Sequence, residues 1–337
     1  MSTSSTDNRS NGRRRSRRRS LFRLFWDSLE NPRYGKPLLD MMLILSLLLA
    51  TLILAPGIRL ILDGPEPTAE EQWHQAVLLT DPVTQEPTVA PILEEEGNWH
   101  RLDDELYFIR EDGGLATGLC RIDGKLYFFS PEGKKAASLG VDVSYYNEKV
   151  DWKAVRQQGI DFALIRAGAR GWSYGGLYED TRCMEYLREA SAAGLKVGVY
   201  YYSTAVNASE AVQEAETVLR RLSGFALDYP IYLDLEYSGE YPEGRSDLLS
   251  KEQRAEIVEA FCSTVESAGY ESGIYSGQHY WKYELPYDVL NHRSVWLASY
   301  TKNYAMPGFE RRYDIWQFTD RGIVKGMPGP IDMNVIF

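Results

Sequence analysis

Two carboxylates one residue apart, Asp234 and Glu236, close the apolar run Ile231-Tyr-Leu-Asp-Leu-Glu236. Side chains alternate along a strand, so the two acids should share one side and Leu235 the other. Two carboxyls brought together in a partly dry site cannot easily both ionise, and one pKa should rise. A protonated acid beside a carboxylate is what glycosidic cleavage uses: a proton for the leaving oxygen and a negative charge for the sugar cation. Taken alone, the tripeptide is common and reads more readily as a solvated strand end than as a site. Its context matters, because Asp142 closes another strand-like segment and Asp332 opens the last one.

The elements that would position these acids alternate along residues 139–337. Strand-like stretches fall at 140–144, 162–167, 196–203 and 230–236, and helix-like stretches at 152–158, 181–193, 209–222 and 251–268. Gly159, Gly194 and Gly269 stop three of the helices just before the next strand, as such connections prefer. Short apolar segments follow at 272–275, 295–299, 314–318 and 332–336. Eight strand candidates with helices between the first five predict an α/β fold, an irregular TIM-like (β/α) barrel with reduced last helices. An open doubly wound sheet is the alternative, although no GxGxxG follows a strand. In a barrel, reactive groups gather where strands end on the C-terminal face.

Further motifs occur in order: Gly140-Val-Asp-Val-Ser-Tyr-Tyr-Asn-Glu-Lys-Val-Asp-Trp152, Ile165-Arg-Ala-Gly168, Gly198-Val-Tyr-Tyr-Tyr-Ser203, Leu233-Asp-Leu-Glu236, Ile274-Tyr-Ser276, Trp296-Leu-Ala-Ser-Tyr300, Ile315-Trp-Gln-Phe318 and Ile331-Asp-Met-Asn-Val335. With them, residues 139–337 resemble the glycoside hydrolase family 25 lysozymes, muramidases that cut peptidoglycan between N-acetylmuramic acid and N-acetylglucosamine. The resemblance implies Glu236 as general acid, with Asp234 orienting the N-acetyl group of the muramic acid for attack on its own anomeric carbon. It implies that Asp142 and Asp332 position or polarise groups around them, and that Tyr201, Tyr275, Trp316 and Arg166 contact the glycan. Asn147 stands where many members have Gln, and Tyr201 where a His is usual. No cofactor is implied, and the four histidines show no HExxH or paired spacing for zinc.

Two other classes compete. A wall-binding protein could use the same surface without turnover. A serine hydrolase could use Ser173, since Gly171-Trp-Ser-Tyr-Gly175 fits GxSxG. That elbow needs an abrupt strand-to-helix turn, whereas helix signals here resume only near Asp180, so a loop over the barrel mouth is expected.

Charge and hydropathy place the domain. With 44% hydrophobic and 25% charged residues, the 337-residue chain can build a sizeable core. Residues 1–40 hold ten of the 37 Lys and Arg and four of the 48 Asp and Glu; the rest carries 27 against 44, near −17. An acidic body argues against a nucleic-acid partner. The basic tract Arg13-Arg-Arg-Ser-Arg-Arg-Arg19 precedes the strongest apolar run, which predicts a cytoplasmic tail at 1–37 and a transmembrane signal anchor at 38–62. Everything beyond would lie outside the cell membrane, a Pro, Glu and Thr-rich linker at 63–96 first. Cys120, Cys183 and Cys262 read as buried small hydrophobes.

Residues 97–138 contain a repeat: Arg101-Leu-Asp-Asp-Glu-Leu-Tyr-Phe108 recurs as Arg121-Ile-Asp-Gly-Lys-Leu-Tyr-Phe128, with Asp112-Gly113 and Glu132-Gly133 following. Each unit predicts a β-hairpin. The pair resembles the repeats of Gram-positive choline- or glucan-binding wall modules, with Leu119 and Leu126 where those carry choline-boxing tryptophans. A spacer packed on the next domain is the other reading, since fewer than about three repeats seldom stand alone.

Overall fold

The computed structural model describes residues 92–238, 244–286 and 292–337. The expected tail, anchor and nearly all of the linker lie outside the described residues; among those described, no helix is long and apolar enough to cross a membrane.

Two hairpins come first. β1 (Gly97–Leu102) pairs antiparallel with β2 (Glu105–Arg110), and β3 (Gly118–Ile122) with β4 (Lys125–Phe129). Each reverses through two residues of positive φ, Asp103-Asp104 and Asp123-Gly124, as two-residue hairpins require. The sequence repeat is also a backbone repeat: the amide of Ala116 donates to the carbonyl of Phe108, and that of Ala136 to Phe128, at 2.9 and 2.8 Å. The second hairpin is part of the main core. Leu119, Leu126 and Phe128 are buried there, the Phe128 ring lies 4.6 Å from Phe318 and 5.6 Å from Trp316, and Leu126 N donates to Gln158 O. Gly159 passes so close that a Cβ would sit 2.6 Å from the Leu126 carbonyl. Phe108 of the first hairpin packs in a separate small cluster with Cys120, Ile122 and Phe129 of the second.

The rest is a closed barrel of eight strands. β5 (Ser138–Val143), β6 (Phe162–Arg170), β8 (Lys196–Tyr202), β9 (Ile231–Asp234), β10 (Ser272–Gly277), β11 (Ser294–Ala298) and β12 (Ile315–Gly322) are parallel neighbours in chain order. β7 (Leu177–Glu179) pairs antiparallel on the outer part of β6. β13 (Ile331–Ile336) closes the ring between β12 and β5, antiparallel to both. Closure excludes the open sheet. The likeness to a TIM barrel is loose, because a strand that returns without a crossover helix must run antiparallel.

Helices α1 (Trp152–Gln157), α2 (Cys183–Ala192), α3 (Ala208–Leu222) and α4 (Lys251–Ser267) fill the first crossovers, and α5 (Gln278–Tyr283) is short. Asp151, Asn207 and Ser250 cap α1, α3 and α4 by accepting from the third helical amide. The main core lies between strands and helices, and Cys183 and Cys262 are buried in it as free thiols. A second cluster, Phe162, Leu164, Tyr232, Tyr275, Trp296 and Ile315, fills the barrel interior. Gly140 and Gly273 leave room for it: a Cβ on either would lie 2.4 Å from a ring carbon of Phe162 or Tyr232.

Candidate active site

The inward positions change from apolar to polar toward the C-terminal ends of the parallel strands. Beyond Tyr232 on β9 comes Asp234, and then Glu236 just past the strand; beyond Ile315 on β12 comes Gln317. Leu235 is buried in the outer core, so the two acids it separates share the inner side. The ladder continues past β9, since Ser203 N donates to Asp234 O at 2.9 Å and Leu235 N to Tyr275 O at 3.1 Å. This fixes the backbone under both carboxyls. Asp332 is the second residue of β13, and the reversed direction of that strand brings its start to the same rim, with Asp332 directly opposite Asp142 of β5. The four acids singled out from sequence therefore meet in one place.

They meet as two hydrogen-bonded pairs, Asp234 with Glu236 and Asp142 with Asp332. Burial raises all four carboxyls. Glu236 is pushed up to about 7 by burial and by the charge of Asp142, against the hydrogen bond from Asp234. Asp234 is held well above the carboxylate range by burial and then by Glu236. Asp142 rises to about 6 through burial, opposed by hydrogen bonds from Asn334, Gln317 and Asp332. Asp332 rises well above its ordinary value by burial and then by the charge of Asp142. The cluster thus retains protons at neutral pH. Asp234 is only 3% exposed and its Oδ1 has no hydrogen-bond partner among the described residues, whereas Glu236 is half-buried and nearer solvent.

The expected aromatic contacts divide. Tyr275 faces the acids, its hydroxyl donating to Gln317 Oε1 at 2.9 Å. Tyr201 and Trp316 do not. Both are fully buried in the outer core, Tyr201 donating to Ala169 O and Trp316 Nε1 to Ser299 O, each at 2.8 Å. Alternation turns their neighbours inward: Tyr200 and Tyr202 border Asp234, and Gln317 reaches Asp142. Tyr300, 55% exposed, also donates its hydroxyl to Gln317 Oε1. Arg166 is 3% exposed; its Nε donates to Asp180 Oδ2 at 3.0 Å, and the rings of Tyr145 and Tyr146 lie 5.2 and 5.1 Å from its guanidinium. It is a buried cation that favours ionisation of Asp234 rather than a surface for sugar. Asp180, which also accepts from Tyr145 N, carried no sequence signal beyond its charge.

Ser173 lies in the turn between the antiparallel strands β6 and β7, closed by Gly171 N to Gly176 O at 2.8 Å. No helix follows the turn directly, so it lacks the geometry of a nucleophile elbow.

Comparison with known proteins identifies the family of the barrel. The model of glycosyl hydrolases family 25 matches residues 141–327. The autolytic lysozyme of Clostridium acetobutylicum is 26% identical over 196 residues, 58% of this chain and 54% of that protein. The protein YegX of Escherichia coli K12 is 31% identical over 209 residues, 58% of this chain and 68% of its own. The modular autolysin LytC of Streptococcus pneumoniae, solved alone and with a synthetic peptidoglycan ligand, superposes with a TM-score of 0.55 at 25% identity, covering 71% of this chain and 58% of that one. The chain spans little more than half the length of the autolytic lysozyme and of LytC.

Proposed function

Because the chain belongs to family 25 of the glycosyl hydrolases, we propose that it is a peptidoglycan muramidase, cleaving the β-1,4 bond between N-acetylmuramic acid and N-acetylglucosamine. The observation that carries the reading is the Asp234–Glu236 pair, hydrogen-bonded, withdrawn from solvent at Asp234 and still proton-bearing near neutral pH. The relatives named as lysozyme and autolysin support the substrate class.

In this proposal Glu236, the more accessible of the two, gives its proton to the bridging oxygen. The acetamido carbonyl oxygen of the muramic acid attacks its own anomeric carbon as the bond to the departing sugar breaks. Asp234 Oδ1 accepts the acetamido N–H, which steers the carbonyl. A buried acceptor left without a donor costs about 1–3 kcal/mol, so the orphan oxygen of Asp234 favours a ligand that brings an N–H. Water then adds at the anomeric carbon and returns a proton to Glu236. Tyr202, Tyr275 and Tyr300, which border the acids, would line the sugars.

The proposal extends to location. The basic tract and apolar run at residues 13–62 support a single-pass anchor with the barrel outside the membrane, and the hairpins at 97–138 serve as a spacer fixed to the barrel, with wall binding as a further role. Protein that stays with membranes through high-salt washing is expected; a mature chain starting after Ala55 in the medium would contradict the anchor. For the activity, wild type should release reducing sugar from purified peptidoglycan and Glu236→Gln should not. Equal release by both would remove Glu236 from the chemistry.

A further inference from the structure

Asp142 Oδ2 accepts two amide hydrogens, from Gln317 Nε2 and from Asn334 Nδ2, each at 2.8 Å and fully buried. The orientation of Asn334 is not free. Its Oδ1 accepts from Trp296 Nε1 at 2.7 Å, and an indole nitrogen can only donate. The amide nitrogen must therefore face Asp142. Gln317 is turned the same way, with the hydroxyls of Tyr275 and Tyr300 both donating to its Oε1 at 2.9 and 2.8 Å. Five side chains from β10, β11, β12, β13 and the segment after β11 thus converge to present N–H groups, and only N–H groups, to one carboxyl oxygen.

Donors aimed at a carboxyl favour its ionised form. Opposite Asp142, in register, stands Asp332, hydrogen-bonded to it. One proton suffices for that bond, and the donors already on Asp142 decide its side. We propose that Gln317 and Asn334 act as an amide clamp that keeps Asp142 ionised and assigns the proton of the Asp142–Asp332 pair to Asp332. Asp142 is then a fixed anion close to Asp234 and Glu236, and its charge helps Glu236 retain the proton it must deliver. The other groups facing this corner are Tyr200 of β8, Tyr275, Tyr300, the cation Arg166 of β6, and Asp320 of β12, whose charge raises Asp332 further and so also favours the proton there. The guanidinium of Arg166 is bonded to Asp180. Gln317 and Asn334 are positioning residues; the step from clamp to catalysis rests on the muramidase reading, but the clamp itself does not.

The test is carboxyl-carbon NMR on the full chain labelled at aspartate, with resonances assigned through Asp142→Asn and Asp332→Asn. At pH 7 the wild type should show Asp142 ionised and Asp332 protonated. In Asn334→Leu, and more weakly in Trp296→Phe, the Asp142 transition should move up by about one pH unit, and the alkaline limb of glycan cleavage should move down by several tenths or more. The reverse proton assignment in the wild type would overturn the clamp. So would Asn334→Leu lowering kcat with both the Asp142 transition and the alkaline limb unmoved. Resonances as expected in a protein that releases no reducing ends would support the clamp and sink the muramidase reading instead.

Discussion

Replacing Glu236 with Gln should stabilise the fold at alkaline pH and leave it nearly unchanged at acid pH. The Glu236 carboxyl is raised from an ordinary 4.5 to about 7, burial first among the causes. It binds its proton more tightly folded than unfolded, so its favourable contribution is complete below about pH 4.5 and lost as pH rises through about 7. At about 1.4 kcal/mol per unit, ionising it in place costs on the order of 3 to 4 kcal/mol. Gln is neutral throughout and nearly isosteric, so the variant avoids that cost. Urea denaturation of both proteins at pH 5 and pH 8 reads the effect. With a slope of about 2 to 3 kcal/mol per molar, the variant midpoint should lie roughly 1 to 2 M higher at pH 8 and within a few tenths at pH 5. An equal offset at both pH values, or a less stable variant at pH 8, would refute the argument that burial sets the Glu236 proton affinity.

Ser173→Ala should leave glycan cleavage unchanged, because the serine sits in a turn between antiparallel strands; a loss beyond about tenfold would revive the hydrolase elbow. Tyr201→Phe should keep kcat/KM and cost about 1 kcal/mol of stability for the lost bond to Ala169, measured by the same denaturation, whereas Tyr275→Phe should lower kcat with its fold intact. Phe128→Ala should cost about 3 to 5 kcal/mol and lower the Tm of the barrel itself, since that ring packs on Phe318 and Trp316; a barrel melting as before would mean that the hairpins are independent.

Much of this architecture is legible from spacing. The capping residues Asp151, Asn207 and Ser250 and the stops Gly159, Gly194 and Gly269 bracket helices close to where periodicity puts them. What alternation leaves open is the phase of a strand that is aromatic on both faces. Tyr200-Tyr201-Tyr202 gives no hint by itself, and the family position favoured Tyr201. The deciding signal was upstream: Val197 and Val199 are in phase with Tyr201 and belong to the layer against the helices. In Ile315-Trp-Gln-Phe318 the polar residue between two aromatics marked the inner face, with Trp316 and Phe318 outside. Closure and the reversal of β13 are tertiary facts, set by which strands find each other, and no local pattern announces them. The amide clamp is legible only after closure, because its members come from different strands.

In the proposed reaction Glu236 delivers a proton to the bond on the reducing side of N-acetylmuramic acid. Purified peptidoglycan digested by the full chain, reduced with borohydride and analysed by mass spectrometry, tests it most directly. Wild type should yield fragments ending in reduced N-acetylmuramic acid, with the yield lost in Glu236→Gln. Fragments ending in reduced N-acetylglucosamine, or no new reducing ends at any pH from about 4 to about 8, would contradict it.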